Sequence, residues 1–377
     1  MMDLTEIRKE IDQRDAEILR LFEERMHLSE QVAAYKIGAG KPVFDRKREE
    51  EKLKVLREAA TCSFNAHGVE ELFRHIMAIS RMRQYQLMAG RGIADVLEDY
   101  ATIEKLPTDG ARVVFQGVEG AYSFAAMKQF FGDAISSTHV ETWKEAMEQV
   151  AEGSADYAVL PIENTTAGSV LDIYDLMLEY PNYIVGEEIL EIRHTLMAIP
   201  GTDLSEIRTV YSHPQALSQC RRYLEAHPEW KQVKMPNTAM AAEKVAADRD
   251  RSQAAIASRY AAEHFGLQLL EENGLSMDCN STRFVILSRQ KRFAASAGKI
   301  SICLELPHQC GSLHNILAHF DYNDLNMTKI ESRPIPDRPW EYRFFIDFSG
   351  NLQEPAVRNA LRGIAAEAVS LRFLGSY

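Results

Sequence analysis

The sequence of 377 residues lacks the segments that would place a protein in or across a membrane. No apolar run approaches the ~20 residues that a membrane-spanning helix needs, and residues 1–10 are too highly charged for a secretory signal. The sequence also has no excess of basic residues, and its formal net charge is −12. That charge argues against nucleic acid or an anionic membrane as a partner. We therefore expect a cytoplasmic protein that binds neither.

Cysteine is scarce and scattered, and no two cysteines form a CxxC pair. An odd number of isolated cysteines favours reduced thiols over disulfides or a zinc site, so we expect no metal. Internal repeats and low-complexity tracts are absent as well. A chain of this length exceeds one usual hydrophobic core, which predicts two or three domains. The cysteines are Cys62, Cys220, Cys279, Cys303 and Cys310.

The first helix carries a seven-residue apolar repeat, which predicts a seam buried against other helices. Arg25 interrupts this seam, and a buried charge is costly unless an anion meets it. Pairing with a nearby Glu is one interpretation. Lys36, however, lies eleven residues later and returns to within about 20° of the same face, so the two cations also suit a small polyanion. The seam residues are Leu4, Ile11, Ile18 and Val32 in one row and Ile7, Leu21, Leu28 and Tyr35 in the other.

Arg8 precedes Arg25 by seventeen residues, or roughly 25 Å along one helix. A single small molecule cannot contact both residues in one chain, so Arg8 would have to come from a second copy. Two further helices are predicted, from Asp45 and over about Val69–Met88. They offer polar side chains at helical spacing that suit a hydroxyl, an ether oxygen or a carboxylate. These are Asp45, Arg48, Glu49, Ser80 and Gln84.

Residues Met1–Gly92 resemble the all-helical chorismate mutase family, whose spaced pattern is matched at Arg8, Arg25, Lys36, Asp45, Arg48, Glu49, Ser80 and Gln84. The resemblance implies an intertwined homodimer in which Arg8 enters the partner's site. It implies the rearrangement of chorismate to prephenate without a cofactor. The implied roles are carboxylate binding by Arg8 and Arg25, donation to the ether oxygen by Lys36 and Gln84, and contact with the ring hydroxyl side by Asp45 and Glu49.

From Arg112 the pattern changes to short apolar runs that alternate with helical stretches, which indicates an α/β domain. About 111–290 resembles prephenate dehydratase, a two-lobed family, and Ile93–Gly110 is predicted to be a linker. Four motifs carry this resemblance: Gln116–Ser123, Pro161–Ser169, Ser212–Gln215 with Gln219, and Thr282–Phe284. The predicted strands are Arg112–Gln116, Tyr157–Ile162, Tyr183–Ile189, Thr195–Ile199, Arg208–Ser212, Ala254–Ala257 and Arg283–Leu287.

The dehydratase resemblance implies that prephenate loses its ring carboxylate and ring hydroxyl, giving phenylpyruvate. Such a site needs a donor for the departing hydroxyl and donors that hold the substrate anions. The family points to Thr282, which we interpret as a hydrogen-bond donor or relay because a Thr hydroxyl is a poor acid. In a strand Arg283 would point away from the face that Thr282 and Phe284 share. The predicted site residues are Thr282, Asn164, Ser212, Gln219 and Phe284.

Residues 298–377 show a βαββαβ order, which is typical of an α+β ferredoxin-like fold, and they resemble an amino-acid-sensing ACT domain. The resemblance implies that phenylalanine binds between paired domains as an end-product inhibitor. The predicted elements are strand Lys299–Leu306, helix Leu313–Phe320, strands Met327–Arg333 and Tyr342–Phe348, helix Glu354–Ala366 and strand Ser370–Leu374. The predicted effector site is Gly311, Ser312, Leu313, Glu331, Ser332, Arg333 and Pro334.

Together these resemblances predict a multidomain enzyme of the chorismate mutase/prephenate dehydratase type, acting in phenylalanine biosynthesis without cofactor or metal. The predicted divisions are 1–92, a linker at 93–110, 111–290 and 298–377. One alternative couples the mutase to a prephenate dehydrogenase, which usually carries GxGxxG for its nicotinamide cofactor. The nearest candidate, Gly117-x-x-Gly120, lacks that spacing. A second alternative is a non-catalytic binding protein with an amino-acid sensor.

Overall fold

The computed structural model describes residues 3–89, 99–272, 275 and 280–377. The chain forms two compact units, one of Met1–Tyr100 with Ala297–Phe373 and one of Ala101–Ser296 with Leu374–Tyr377. The first and last predicted regions thus pack into a single unit, and the boundaries of three separate domains stay a prediction. Among the described helices, none combines the length and the apolar character needed to cross a membrane.

The first unit opens with three helices: α1 (Leu4–Ala39), α2 (Arg46–Glu58) and α3 (Ser63–Ala89). α1 ends at Gly40, whose φ of 62° is left-handed and therefore suits glycine. The predicted N-cap of α2 is confirmed, because the Asp45 side chain accepts a hydrogen bond from the Arg48 N–H at 3.1 Å. α3 begins six residues before the predicted start.

The apolar seam of α1 is largely exposed in the single chain, so its predicted burial against other helices is not met within one chain and stays a prediction for the assembly. α1 contacts α3, but Ala33 is the residue of α1 that is fully buried among those the structure describes. The helix is 36 residues long, about 54 Å at 1.5 Å per residue, and the other two helices are too short to cover it. The seam side chains that stay more than half exposed are Leu4, Ile11, Ile18, Leu21, Leu28 and Tyr35.

The second unit alternates strands and helices over two lobes, which confirms the α/β class. The first lobe contains β1 (Ala101–Ile103), β2 (Arg112–Gln116), α4 (Tyr122–Phe131), β3 (Ser136–Val140), α5 (Trp143–Glu152), β4 (Tyr157–Asn164), β5 (Gly168–Ser169), α6 (Leu171–Glu179) and β6 (Tyr183–Glu191). The second contains β7 (Thr195–Ala198), a 3-10 turn (Leu204–Glu206), β8 (Thr209–Ser212), α7 (Pro214–Gln219), α8 (Arg221–Glu225), β9 (Lys231–Lys234), α9 (Thr238–Asp248), β10 (Gln253–Ala257), α10 (Arg259–Phe265) and β11 (Gln268–Glu271). The chain then returns to the first lobe through β12 (Ser281–Ser288) and β13 (Arg292–Ala294).

Each lobe has its own sheet and its own core. The first sheet has the order β6-β12-β4-β2-β3 and the second β11-β7-β10-β8-β9. Phe115, Val159 and Phe284 belong to the first core, whereas Val210 and Ile256 belong to the second. The chain passes from one lobe to the other just after β6 and returns just before β12, so residues near 192–194 and 280–282 lie at the junction of the lobes.

Part of the predicted linker at 93–110 is ordered structure. β1 pairs in parallel with β13, joining Ala101 to Arg292 and Ile103 to Ala294. This part of the linker therefore belongs to the second unit, because its backbone donors and acceptors are satisfied there. Residues 93–98 lie outside the described residues.

The remainder of the first unit has the predicted β-α-β-β-α-β order. The order of its sheet is β15 (Met327–Ile335), β16 (Arg338–Ser349), β14 (Lys299–Glu305) and β17 (Ser370–Ser376), and the second of its helices packs against α3. The observed bounds are within a few residues of the predicted ones. The elements are β14 (Lys299–Glu305), α11 (Ser312–Asp321), β15 (Met327–Ile335), β16 (Arg338–Ser349), α12 (Pro355–Glu367) and β17 (Ser370–Ser376).

Candidate active sites

The three N-terminal helices line a cavity of about 360 Å³ in the first unit. Most of the side chains predicted from helical spacing meet there, so one small space holds several cations and carboxylates. Arg8 does not line it, in keeping with its position nearly five helical turns before Arg25. The predicted residues that line the cavity are Arg25, Lys36, Asp45, Arg48, Glu49, Ser80 and Gln84.

Arg25 is fixed by α3 at the wall of this cavity. Its Nη1 donates to Ser80 Oγ at 2.5 Å and to the Ile76 carbonyl at 3.4 Å. Ser80 in turn donates to the same carbonyl at 2.8 Å. Burial lowers the pKa of Arg25, and the nearby Glu49 partly offsets that effect. A guanidinium that has lost part of its water in this way interacts strongly with an incoming carboxylate.

Lys36 also lines the cavity and is held by the turn between α1 and α2. Its Nζ donates to the Val43 carbonyl at 2.5 Å. Burial lowers the pKa of Lys36, whereas Asp45 and Glu49 act to raise it. Gln84 completes the donors: its Nε2 lies 3.5 Å from Ser29 Oγ, and its buried Oε1 has no hydrogen-bond partner among the described residues. Among the described residues, the Gln84 amide therefore makes only weak hydrogen bonds and can interact with a ligand.

Glu49 forms an ion pair with Arg81, a residue that the sequence patterns did not single out. Arg81 is buried on α3, beside Ser80. A charged residue on the same buried helix face as Met77 and Tyr85 is the signal that could have indicated it.

Three of the five predicted dehydratase residues, Thr282, Asn164 and Gln219, meet at the junction of the two lobes. Thr282 on β12 is in register with Asn164 at the end of β4. Asn164 Nδ2 donates to Thr282 Oγ1 at 2.9 Å and to Asn280 Oδ1 at 2.8 Å. Asn164 Oδ1 accepts from the hydroxyl of Thr166 at 2.7 Å and from the Ala167 N–H at 3.0 Å. These bonds fix the Asn164 amide and define which of its atoms faces Thr282.

The hydrogen-bonded chain continues from Thr166 into the second lobe. Gln219 Nε2 donates to Thr166 Oγ1 at 2.7 Å, and Gln219 Oε1 lies 2.8 Å from His194 Nε2. An amide oxygen can only accept, so His194 Nε2 carries a proton, while Nδ1 lies 3.1 Å from the Tyr122 hydroxyl, which also donates to the Arg193 carbonyl at 3.1 Å. In this series each group donates to the next: His194 to Gln219, Gln219 to Thr166, and Thr166 to Asn164. Asn164 then donates to Thr282.

His194 is the functional candidate that sequence patterns missed in this unit. It lies at the first crossing between lobes and is 3% exposed. Burial lowers its pKa, although the bond to Gln219 opposes that effect. This lowered pKa favours the neutral imidazole. The sequence pattern only weakly indicated a functional role for His194, because a lone His between two apolar strands looks like a core residue.

Three motif residues that were considered for the site, Ser212, Phe284 and Arg283, lie outside this hydrogen-bond network. Ser212 is fully buried, and its hydroxyl donates to the Ile256 carbonyl at 2.5 Å, so it joins β8 to β10. Phe284 packs in the core of the first lobe. Arg283 pairs with Glu187 at 3.1 Å and Glu163 at 3.4 Å, away from the network. These contacts stabilise the strands.

The predicted effector residues are divided between two places in the first unit. Ser312 and Leu313 line a cavity of about 340 Å³, together with Tyr342 and Phe344. Gly311 is the N-cap of α11 with a φ of 81°, a conformation that favours glycine. Residues 331–334 lie on β15 and do not line this cavity of the single chain.

Comparisons with known proteins match both catalytic regions. A family model described as chorismate mutase type II matches residues 7–85, and one described as prephenate dehydratase matches residues 113–292. A curated protein of Enterobacter agglomerans, named bifunctional chorismate mutase/prephenate dehydratase, is 35% identical over 99% of this chain and 95% of its own length.

Two solved structures each match 71% of the chain. Prephenate dehydratase from Arthrobacter aurescens in complex with L-Phe is 32% identical, with a TM-score of 0.65 and coverage of 71% of this chain and 89% of that one. A protein described as a novel type of quorum quenching acylase is 31% identical, with a TM-score of 0.65 and coverage of 71% and 97%. No cluster of His, Cys, Asp or Glu suited to a metal occurs among the described residues. With both catalytic regions matched in order along nearly the whole length of a curated relative, the chain belongs to the family of bifunctional chorismate mutase/prephenate dehydratases.

Proposed function

We propose that the chain carries out its two reactions at two separate sites, chorismate rearrangement in the cavity of α1 to α3 and prephenate dehydration at Thr282. The observation that carries this proposal is the convergence of Arg25, Lys36 and Glu49 on one cavity, apart from the network around Asn164 and Thr282 in the other unit. Purified protein given prephenate should release phenylpyruvate, detected by its absorbance in alkali, without a nicotinamide cofactor. If prephenate were consumed only when that cofactor is present, the result would support a dehydrogenase instead.

The mutase step needs positioning and electrostatic stabilisation rather than a covalent intermediate. The substrate must be held in a compact, chair-like conformer, and negative charge grows on its ether oxygen as the bond breaks. Arg25, fixed by Ser80, is placed to bind a carboxylate. Lys36 and Gln84 are donors on the same cavity and suit the ether oxygen. Asp45 and Glu49, which also line the cavity, would contact the side of the substrate that carries the ring hydroxyl.

A second copy of the chain supplies Arg8 in this proposal. The exposed seam of α1 is long and apolar, and burying one Leu or Ile side chain contributes ~1.5–3 kcal/mol. A second α1 packed along this seam would cover it and bring the partner's Arg8 toward a cavity that its own Arg8 cannot reach. The proposed assembly is therefore a homodimer, or a larger assembly built from it.

Mixing two inactive variants tests this exchange. Arg8→Ala and Lys36→Ala homodimers should each lack mutase activity. In a mixed dimer, however, one of the two sites combines an intact Arg8 with an intact Lys36, so mutase activity should reappear. The measurement is chorismate consumption after the two purified variants are dissociated and reassociated. Verified mixed dimers that stay inactive would contradict the assignment of Arg8 to the partner's site.

The dehydratase step begins when the ring carboxylate leaves as CO2 and its bonding electrons aromatise the ring, expelling the hydroxyl group. The hydroxyl leaves easily only if it receives a hydrogen bond or a proton. Thr282 Oγ1 already accepts from the Asn164 amide, so its own O–H remains to be donated. The directed bonds from His194 through Gln219 and Thr166 keep the Asn164 amide in this orientation. Thr282 therefore acts as a preset donor to the departing oxygen.

The third region is proposed to be a ferredoxin-like ACT domain that senses phenylalanine and inhibits the dehydratase. Its α11 has no side-chain cap at Gly311, so N–H groups of its first turn suit an amino acid's carboxylate. Leu313, Tyr342 and Phe344 give the adjacent cavity an apolar wall for an aromatic ring. Residues 331–334 would complete the site from a paired domain. The structure of a relative with L-Phe supports this choice of effector.

Changing Gly311 to Ala should weaken phenylalanine binding in calorimetry and reduce inhibition of the dehydratase. An added Cβ meets no neighbour, but a φ of 81° is strained for Ala, and the loop before α11 should shift. Gly266→Ala is the matched control, because Gly266 is also left-handed, also has open space and lies at a helix end in the second unit. Equal effects of the two variants, or an intact enzyme that binds no phenylalanine at millimolar concentration, would contradict the sensor assignment.

A further inference from the structure

Arg81 is a buried cation that joins two parts of the first unit. It is 5% exposed, and its guanidinium forms two ion pairs. Nη1 pairs with Glu49 of α2, and Nε lies 2.8 Å from Glu367 Oε1 of α12. A buried guanidinium is tolerated only when it is paired in this manner. Glu49 lines the proposed mutase cavity, whereas Glu367 belongs to the C-terminal region.

The C-terminal partner is itself held firmly. His319 Nε2 of α11 lies 3.2 Å from Glu367 Oε1. One turn before Glu367, Gly363 faces His319 so closely that an added Cβ would overlap the imidazole ring. α11 and α12 can pack this closely only because residue 363 is a glycine. Burial acts to raise the pKa of Glu367, but His319 and Arg81 outweigh it and the pKa is lowered, so the group is a carboxylate anchored in the C-terminal region.

On its other side Arg81 reaches the wall of the proposed mutase cavity, which it also lines, and supports that wall at two points. One is the Glu49 carboxylate. The other is the turn between α1 and α2, because the guanidinium lies 4.8 Å from the centre of the Phe44 ring. Phe44 sits between Val43, whose carbonyl accepts from Lys36, and Asp45. A displacement of Arg81 would therefore disturb Glu49 and the support of Lys36 together.

We propose that Arg81 is a positioning residue of the mutase site: it holds the Glu49 carboxylate in place and takes its own position from Glu367. This inference rests on the proposed mutase site. The planar guanidinium suits the task because its donors point in fixed directions and reach two carboxylates at once, which a Lys ammonium cannot reproduce. Mutase activity of this chain thus depends on a C-terminal residue that contacts no substrate.

Full-length variants test the inference. Arg81→Met should lower the kcat for chorismate about 10- to 100-fold, because a displacement of about 1 Å in a catalytic group can cost about 10²-fold. Arg81→Lys should recover part of that loss, and Glu367→Gln, which keeps the size of the side chain, should lower kcat by a smaller factor. Turnover of added prephenate, which takes place in the other unit, should stay near that of the wild type, and an unchanged circular dichroism spectrum shows that each variant is folded. Arg83→Met is the matched control, since Arg83 lies on the same helix but pairs with the partly exposed Glu30, and it should keep full mutase activity.

A double-mutant cycle separates positioning from general stability. If Arg81 acts through Glu49, the double variant Glu49→Gln/Arg81→Met should be no slower than the slower single variant. Additive losses overturn the inference, as does an Arg81→Met chain with wild-type kcat. If Arg81→Met fails to fold, Glu367→Gln decides the matter, because a folded Glu367→Gln enzyme with unchanged kcat overturns the anchoring role. A wild-type chain without mutase activity would overturn the proposed mutase site itself, whereas an active wild type with unaffected variants overturns only the role of Arg81.

Discussion

Lys36→Ala should lower chorismate turnover about 10²- to 10³-fold, which corresponds to roughly 2.7–4 kcal/mol of transition-state stabilisation. Lys36 is the cation that the turn before α2 aims into the mutase cavity, through its 2.5 Å bond to the Val43 carbonyl. Its partial burial, which lowers its pKa despite Asp45 and Glu49, makes its hydrogen bond to a developing negative charge stronger than it would be in water. The measurement is kcat for chorismate consumption.

Two controls show whether the loss is specific to the mutase reaction. Lys54→Ala removes an exposed lysine from α2, outside the cavity, and should leave the mutase rate unchanged. Dehydratase turnover on added prephenate should persist in the Lys36→Ala protein, because Thr282 and its network belong to the other unit. If Lys36→Ala removed both activities equally while the protein stayed folded, the two reactions would share a site and the two-site proposal would be wrong.

The residues of the proposed mutase cavity could be predicted from sequence because the cavity is built on helices. Helical spacing fixes which side chains share a face, so the pair Arg25 and Lys36, and the pair Ser80 and Gln84, could each be placed on one face from the order of residues alone. The same geometry separated Arg8 from Arg25. The structure agrees with that arrangement, since the cavity collects these residues without Arg8.

Residues that act through tertiary contacts could not be predicted in this way. Arg81 and Glu367 are 286 residues apart in sequence, and no local pattern relates two such positions. His194 belongs to the dehydratase network only because the chain crosses between lobes there and Gln219 approaches from α7. Ser212 illustrates the reverse case: it stands in a family motif, yet its buried hydroxyl is satisfied by a neighbouring strand.

The exposed seam of α1 shows a further limit of sequence patterns. An apolar repeat indicates that a helix face will be covered, but not whether the cover comes from the same chain. Here the described part of one chain leaves seam residues such as Ile11 and Ile18 exposed, so the pattern fits an interface with another copy better than an internal core.

Thr282→Ala should lower the kcat of prephenate dehydration by about 10²- to 10³-fold, the usual effect of removing one positioned donor, while mutase activity survives. The hydroxyl lost is the end point of a directed hydrogen-bond chain, so the Asn164 amide would be left facing a methyl group. Thr282→Ser keeps the donor and should retain most of the activity, which separates loss of the hydroxyl from loss of the methyl group. Thr209→Ala, on β8 and outside the network, is the matched control for a strand threonine. A near-normal rate for Thr282→Ala would mean that another group assists hydroxide departure. His194 could be that acid only after gaining a proton at Nδ1, and its burial, which lowers its pKa, opposes that.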